Sequence, residues 1–322
     1  MVIHHSMKKV VITGGSGFIG GHIVEFLLKK NFKVDVVDLW ESPEVKYLKK
    51  KYNSLKFHKL NFLNFVRFKK ILKNKDALIH MAAILGTSET ITTYDVEDVV
   101  RTNVLGTTKV LKTCKELKIK KVLIPTTPDV SWLNPYKITK QAIERLAQLF
   151  NKEYNLNVRC LKLGNIYGSR ERWLEANKTD IKAPFNYQKI IPSFIMDHLN
   201  KKPITIYGDG KQKSEYIFID DVVMSFYLSL KTKKRFGTEV IHVGRGKNNS
   251  VIDIINALEK AWGVKFKKKF VKMRPGEHKI QIKLNPKPLK KHLNYSLQWK
   301  LVEGLKKTIP YYIQQHKISK KK

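Results

Sequence analysis

Tyr136 and Lys140, in the stretch TTPDVSWLNPYKITK, are the residues whose types and spacing ask for a chemical explanation. Four positions apart on a helical pattern, they lie one turn apart on the same side, so a phenol and an ammonium are held close together at a helix start. The rest of the stretch explains itself structurally. Asn134 caps the helix, Pro135 takes the first helical position, and Ile138, Ala142, Leu146 and Leu149 recur at helical spacing as a stripe expected to pack on a core. That reading leaves Tyr136 and Lys140 over, and their use depends on what the chain offers elsewhere.

It offers a phosphate cradle. In VVITGGSGFIGGHIVEFLL, Gly14, Gly17 and Gly20 fall where a tight turn, close backbone approach to a pyrophosphate and close helix–strand packing each exclude a side chain. A glycine triplet alone is weak, but this one follows a strand and opens a helix. Asp38 ends the next β-rich run, 24 residues after Gly14, where a carboxylate binds a ribose 2′-hydroxyl and repels a 2′-phosphate. With Leu39 and Trp40 following it instead of an arginine, NAD is expected over NADP.

The elements that must position these residues alternate. KKVVIT, KVDVVD, LKFHKL, DALIHM, KKVLIP and NVRCLKL predict strands, with helices expected near residues 18 to 30, 65 to 73, 95 to 117 and 135 to 153. This is the pattern of an α/β fold: a Rossmann-type doubly wound parallel sheet over residues 1–164. Residues 165–322, punctuated by Pro and Gly, form a smaller mixed α/β substrate lobe, with some segments free to return to the first domain.

Composition narrows the function classes. The net charge of +36 would suggest a polyanionic partner, yet only nine of the 63 basic residues are Arg, and the Lys residues are scattered in short runs. Solvated faces account for this better than specific nucleic-acid binding. Cys114 and Cys160 are too few for a disulfide framework, and the leader MVIHHSMKK carries no signal-like apolar run, so a cytoplasmic protein with no membrane association is expected. His4 and His5 in that leader carry no metal reading.

With cradle, acid and Tyr136-x-x-x-Lys140 in one chain, the sequence resembles the extended short-chain dehydrogenase/reductase family, the NAD-dependent nucleotide-sugar epimerases and dehydratases. Further motifs follow in order: His80-Met81-Ala82-Ala83, Asn103-Val104-Leu105-Gly106-Thr107, Asn165-Ile166-Tyr167-Gly168, Ile206-Tyr207-Gly208-Asp209-Gly210, Phe218-Ile219-Asp220-Asp221 and Arg274-Pro275-Gly276-Glu277. The resemblance implies that Tyr136 is the general base that removes a proton from a sugar hydroxyl while the adjacent carbon passes hydride to NAD, with its phenolate favoured by Lys140, the helix N-terminus and the oxidised nicotinamide. It makes Thr127 the hydroxyl that binds the reacting oxygen. It lines NAD with Gly14, Gly17, Phe18, Ile19, Gly20, Asp38, Met81, Ala82 and Asn103, and Lys140 holds the nicotinamide ribose. Asn61 and Phe62 stand where relatives contact the adenine, with Asn61 in place of an Asp. A nucleotide-diphosphate sugar would meet Ser88, Asn165, Lys189, Tyr207, Lys213 and Arg274, and a homodimer would form through the helices of residues 95 to 117 and 135 to 153.

Three departures concern the substrate. Only eight residues separate Thr127 from Tyr136, which is shorter than in typical relatives, so residues 169 to 189 are expected to roof the sugar. Ser214 stands where relatives place an Arg on the diphosphate, with Lys213 as the neighbouring replacement. Asp129, two after Thr127, is an acid where many epimerases have a small residue, and is counted with the catalytic group. The leading reading is epimerisation, most simply at carbon 4, through a transient keto sugar. The alternatives are a 4,6-dehydratase or decarboxylase, which would need a second acid such as Glu171 or Glu175, and a non-enzymatic NAD-binding protein that binds RNA.

Overall fold

The computed structural model describes residues 8–129, 133–171, 189–235, 237–274 and 281–320. Six strands, β1 (Lys9–Thr13), β2 (Lys33–Asp38), β3 (Leu55–Lys59), β4 (Ala77–His80), β5 (Lys121–Thr126) and β6 (Val158–Leu163), fall where the β-rich runs predict them. A seventh, Ile241–Val243, joins them, and the sheet runs in the order Ile241–Val243, β6, β5, β4, β1, β2, β3. Every pairing is parallel. The order reverses between β1 and β4, and in such a sheet the crevice beyond the strand ends at that switch is where ligands bind.

β1, β4, β5 and β6 are buried along almost their whole length, which is why their sequences are apolar runs without alternation. One core cluster lies on the face covered by helix Phe18–Lys29, and it continues into the second half of the chain through Ile195, Phe226, Ile254 and Leu305. The other joins Val11, Leu78, Val122 and Cys160 to Leu111, Ile143 and Phe150. The sheet is therefore covered on both faces.

The helix expected over residues 95 to 117 is broken by a wider turn. It runs as Val96–Val100, a π-helical segment Arg101–Gly106, and Thr107–Glu116. A π-segment shifts the phase of the side chains and is common at functional sites. Here it carries Asn103. Helix Pro135–Tyr154 starts as expected, with Asn134 Oδ1 accepting from Lys137 N at 3.0 Å.

That helix turns a different stripe inward from the one its apolar spacing suggests. Thr139, Lys140, Ile143, Ala147 and Phe150 are buried, whereas Ile138 is 51% and Leu149 43% exposed. Both stripes are apolar at helical spacing, and the inner one is the stripe that brings Lys140 over the sheet. The core role expected of Ile138, Ala142, Leu146 and Leu149 is thus corrected: Ile138 and Leu149 are exposed, and Ala142 and Leu146 are only half-buried. No helix among the described residues is long and apolar enough to cross a membrane.

Candidate active site

A single cavity of about 1030 Å³ runs from the glycine cradle past Tyr136 to Tyr207 and Arg274. Its cofactor end is shaped by glycines. Gly14 adopts a φ of +68°, and a Cβ there would lie 2.8 Å from Ala82 N. A Cβ at Gly20 would lie 2.2 Å from Gly14 O, so the helix can approach β1 only without one. Gly17, Phe18 and Ile19 complete this wall. Asp38 is fixed by two backbone donors, accepting from Ser16 N at 2.9 Å and from Leu39 N at 2.8 Å.

Beneath the cradle, Thr13 Oγ1 and His80 Nδ1 lie 2.7 Å apart, and burial pulls the His80 imidazole down to about 3, so it is neutral and purely a clamp. Asn61 and Phe62 line the cavity beyond Asp38, as do Met81 and Ala82 near the switch point. Asn61 Oδ1 already accepts from Leu63 N at 3.0 Å, which leaves it one further lone pair for an adenine amine. A dinucleotide therefore fits these residues: the cradle admits a pyrophosphate only because side chains are missing, and Asp38 stands ready for ribose hydroxyls.

Asn103 departs from its expected place. It is buried and absent from the cavity wall. Its Nδ2 donates to Ile84 O at 2.8 Å and to Thr139 Oγ1 at 3.1 Å, and its Oδ1 accepts from Ile84 N at 2.8 Å. Thr139 Oγ1 in turn donates to Tyr136 O at 3.0 Å. Asn103 thus ties the loop after β4 to the turn carrying the tyrosine, and acts on the site through those two.

At the centre of the cavity Thr127, Tyr136 and Lys140 share the wall. Thr127 Oγ1 is buried with no hydrogen-bond partner among the described residues, a polar atom directed at something the chain does not supply. Lys140 Nζ donates to Pro125 O at 3.2 Å and lies 6.0 Å from the Tyr136 ring centre. Burial dominates both groups: the phenol is pushed up to about 12 and the ammonium down to about 8. In the protein alone, without the nicotinamide that the expectation includes, the phenol is therefore the favoured form. The lysine is bound to a carbonyl, and desolvation outweighs its help.

Asp129 is also corrected. Its carboxylate, 68% exposed, is drawn to Lys162 Nζ at 2.5 Å and does not line the cavity. Lys162 is buried and also meets Glu144 Oε1 at 3.0 Å, while Glu144 Oε2 accepts from Thr126 Oγ1 at 2.8 Å. This network anchors the short loop from below, which gives Asp129 a structural use. Val130 to Trp132, within that loop, lie outside the described residues.

On the substrate side, Asn165, Lys189, Tyr207, Lys213 and Arg274 line the cavity, and the Arg274 guanidinium stacks 5.0 Å from the Tyr207 ring centre. Ser88 does not; its neighbours Thr87 and Glu89 do. Of the expected roof, Glu171 and Lys189 reach the cavity, while residues 172–188, Glu175 among them, lie outside the described residues. Burial pushes the Glu171 carboxyl up to about 8, so it is protonated at neutrality. Sequence reasoning passed over Ser193 and Gln212, and read Ser214 only as a lost arginine. All three line the cavity, and Ser193 Oγ, Gln212 Oε1 and Ser214 Oγ are buried without partners among the described residues. The available signal was position: Ser193 follows Pro192, and Gln212 precedes Lys213.

A doubly wound sheet with a glycine cradle, a ribose acid and a Thr–Tyr–Lys group on one cavity defines a short-chain dehydrogenase/reductase type of site. The chain belongs to the NAD dependent epimerase/dehydratase family, whose family model matches residues 10–244. It is 30% identical over 331 residues to a UDP-glucuronate 4-epimerase of Thermodesulfobacterium geofontis, covering 94% of this chain and 95% of that one. It is also 30% identical over 282 residues to a dTDP-D-glucose 4,6-dehydratase of Dictyostelium discoideum, covering 77% of this chain and 61% of that one. Among solved structures, the UDP-glucuronic acid 4-epimerase of Bacillus cereus, in complex with UDP-glucuronic acid and NAD, superposes with a TM-score of 0.82 at 29% identity, over 95% of this chain and 99% of that one.

Proposed function

We propose that the protein is an NAD-dependent nucleotide-sugar epimerase acting at carbon 4 through a transient keto sugar. The observation that carries this reading is the continuity of one cavity from the cradle, past Thr127, Tyr136 and Lys140, to the basic and aromatic end at Lys213, Tyr207 and Arg274. NAD, when bound, supplies the acceptor and the return donor for the hydride of the sugar carbon. Tyr136 takes the hydroxyl proton as the ketone forms and gives it back after the sugar has turned its other face. Thr127 Oγ1 donates to the oxygen while it carries developing charge. Lys140 can leave Pro125 O for a ribose hydroxyl, and the positive charges then gathered at Tyr136 lower the phenol toward a working range.

One observation favours the dehydratase reading: Glu171 is a protonated acid in the cavity wall. Elimination needs a base as well, and Pro128 has no proton to exchange while Asp129 is held by Lys162. Epimerisation asks only for the oxidising group and room to turn. The test is a panel of nucleotide hexoses followed by mass and stereochemistry of the products. Inversion at carbon 4 without mass change is expected and is abolished in Tyr136→Phe, which should keep NAD binding and lose about 10³-fold in kcat. A product lighter by one water would establish the dehydratase instead.

The same reading includes a homodimer. Helix Val96–Val100 and the π-helical segment Arg101–Gly106 pack on helix Pro135–Tyr154, and the three leave Val96, Val100, Leu105, Ile138 and Leu149 exposed. A matching face on a second copy would cover them. Light scattering at moderate salt checks this, a strict monomer counting against it. Both cysteines are free and buried, in keeping with a cytoplasmic enzyme.

A further inference from the structure

We infer that Asp129 is a positioning residue: through its ion pair with Lys162 it holds the short loop so that the Thr127 hydroxyl stands at the reacting oxygen, without touching substrate itself. The inference rests on the epimerase reading above, which gives Thr127 its task, and adds the residue that places it.

The Thr127 hydroxyl has to be placed from outside. Its Oγ1 is buried and makes no hydrogen bond among the described residues, so no contact of its own fixes where it points. Residues on either side are tied down instead. Thr126 ends β5 opposite Lys162 on β6, and its Oγ1 donates to Glu144 Oε2 at 2.8 Å. Asp129 Oδ2 lies 2.5 Å from Lys162 Nζ, and the same ammonium meets Glu144 Oε1 at 3.0 Å. Both tethers therefore end on one Lys162–Glu144 pair, with Thr127 and Pro128 spanning them. Proline fixes its own φ and confines the residue before it to extended backbone, so this short span has little freedom left. Glu144 also stands one helical turn beyond Lys140, which puts the anchor on the helix that carries Tyr136 and Lys140. Thr127 is thus placed relative to both by Asp129, Lys162 and Glu144, none of which lines the cavity.

The fold does not require the second carboxylate. The Lys162 side chain is 4% exposed and already has a counter-charge in Glu144, at 12%. The Asp129 side chain lies largely in water, which shields its charge, so its share in stability is small. What Asp129 supplies is place. The connection from Thr127 to Tyr136 has eight residues, and its described part forms no strand or helix before Pro135, so nothing regular holds its start. A reacting group displaced by about 1 Å can lose about 10²-fold in rate. A tether that adds little to stability can therefore decide turnover.

The experiment is a double-mutant cycle of Asp129→Ala and Thr127→Ala, with Asp129→Asn alongside. The substrates are UDP-glucuronate, UDP-glucose and their dTDP counterparts, and kcat, KM, Tm and calorimetric NAD affinity are recorded for each protein. Asp129→Ala should lower kcat by about 10- to 100-fold and leave KM, NAD affinity and Tm close to the wild type. Asp129→Asn, which keeps an oxygen for Lys162, should retain part of the rate. In the Thr127→Ala background, Asp129→Ala should cost less than about twofold, because the group it places is gone. An acid acting on the sugar directly, or a residue serving the fold alone, would instead multiply its loss with that of Thr127→Ala. Multiplied losses, or an unchanged kcat in folded Asp129→Ala, overturn the inference and leave the epimerase reading standing. Full turnover in Thr127→Ala overturns the role of Thr127 in that reading and the inference with it. Turnover of none of the four sugars by the wild type overturns both.

Discussion

The two ends of the cavity are finished to different degrees. At the cofactor end the polar groups already have partners: Asp38 holds two backbone amides, and beneath the cradle Thr13 and His80 hold each other. At the substrate end Ser193, Gln212 and Ser214 keep buried oxygens unsatisfied among the described residues, as does Thr127 at the centre. A buried polar group without a partner costs about 1–3 kcal/mol, so the substrate end stores instability that a ligand relieves. The cradle is shaped to hold one molecule throughout the cycle. The other end releases its occupant every turn.

That contrast predicts opposite responses to mutation. The largest effect should come from Gly20→Ala, whose Cβ would meet Gly14 O at 2.2 Å. Separating helix and strand there should cost about 3 kcal/mol and abolish NAD loading, as read by Tm and by cofactor content after purification. Asp38→Ala should come next. It removes the acceptor for Ser16 N and Leu39 N, so it should lower Tm, weaken NAD by about tenfold and narrow the gap between NAD and NADP in calorimetric titration. Ser214→Ala should give the opposite sign in stability. Losing an unsatisfied oxygen should raise the Tm of the free protein slightly while raising KM for the nucleotide sugar. If Ser214→Ala destabilises the protein, the contrast between the two ends fails.

The smallest effect is a pH dependence. Lys137 and Lys140 at the cavity, and Lys121 elsewhere in the sheet, stand at about 8 in the fold against 10.5 in an unfolded chain. Between those values the unfolded chain binds more protons, so the stability of the free protein should rise as pH climbs past about 8. Cys114 and Cys160 work the other way above their ordinary value of 9.0, because burial raises both thiols in the fold. Three lysines outweigh two thiols, so Tm should keep climbing, more gently, above pH 9 and turn over only as pH approaches 10, where Tyr136, raised from 10.0 to about 12, also begins to oppose the climb. Calorimetry across that range should show a shallower climb in Lys137→Met.

Much of the cofactor end was legible in the sequence because its constraints are local. A glycine that must lack a Cβ and an acid at a strand end leave marks at fixed spacing. Asn103 was misplaced because a π-segment changes side-chain phase without leaving a residue-level mark, and Arg101–Gly106 reads as ordinary helix. Helix Pro43–Lys51 was missed because its sequence, PEVKYLKKK, buries only Val45 and Leu48 and shows little periodicity. The inner stripe of helix Pro135–Tyr154 was confused with the outer one because both are apolar, and only the packed sheet distinguishes them. Asp129 looked catalytic beside Thr127 until Lys162, distant in sequence, was seen to take its charge.

The seventh strand, Ile241–Val243, has a consequence for how the protein is made. It pairs with β6, so the segment that covers that border of the sheet is synthesised long after β6 itself. A nascent chain that has emerged only through Leu163 presents β6 as an open edge of unpaired amides and carbonyls on a strand buried in the finished molecule. Until Ile241 leaves the ribosome, that edge is a place where a second nascent chain can pair.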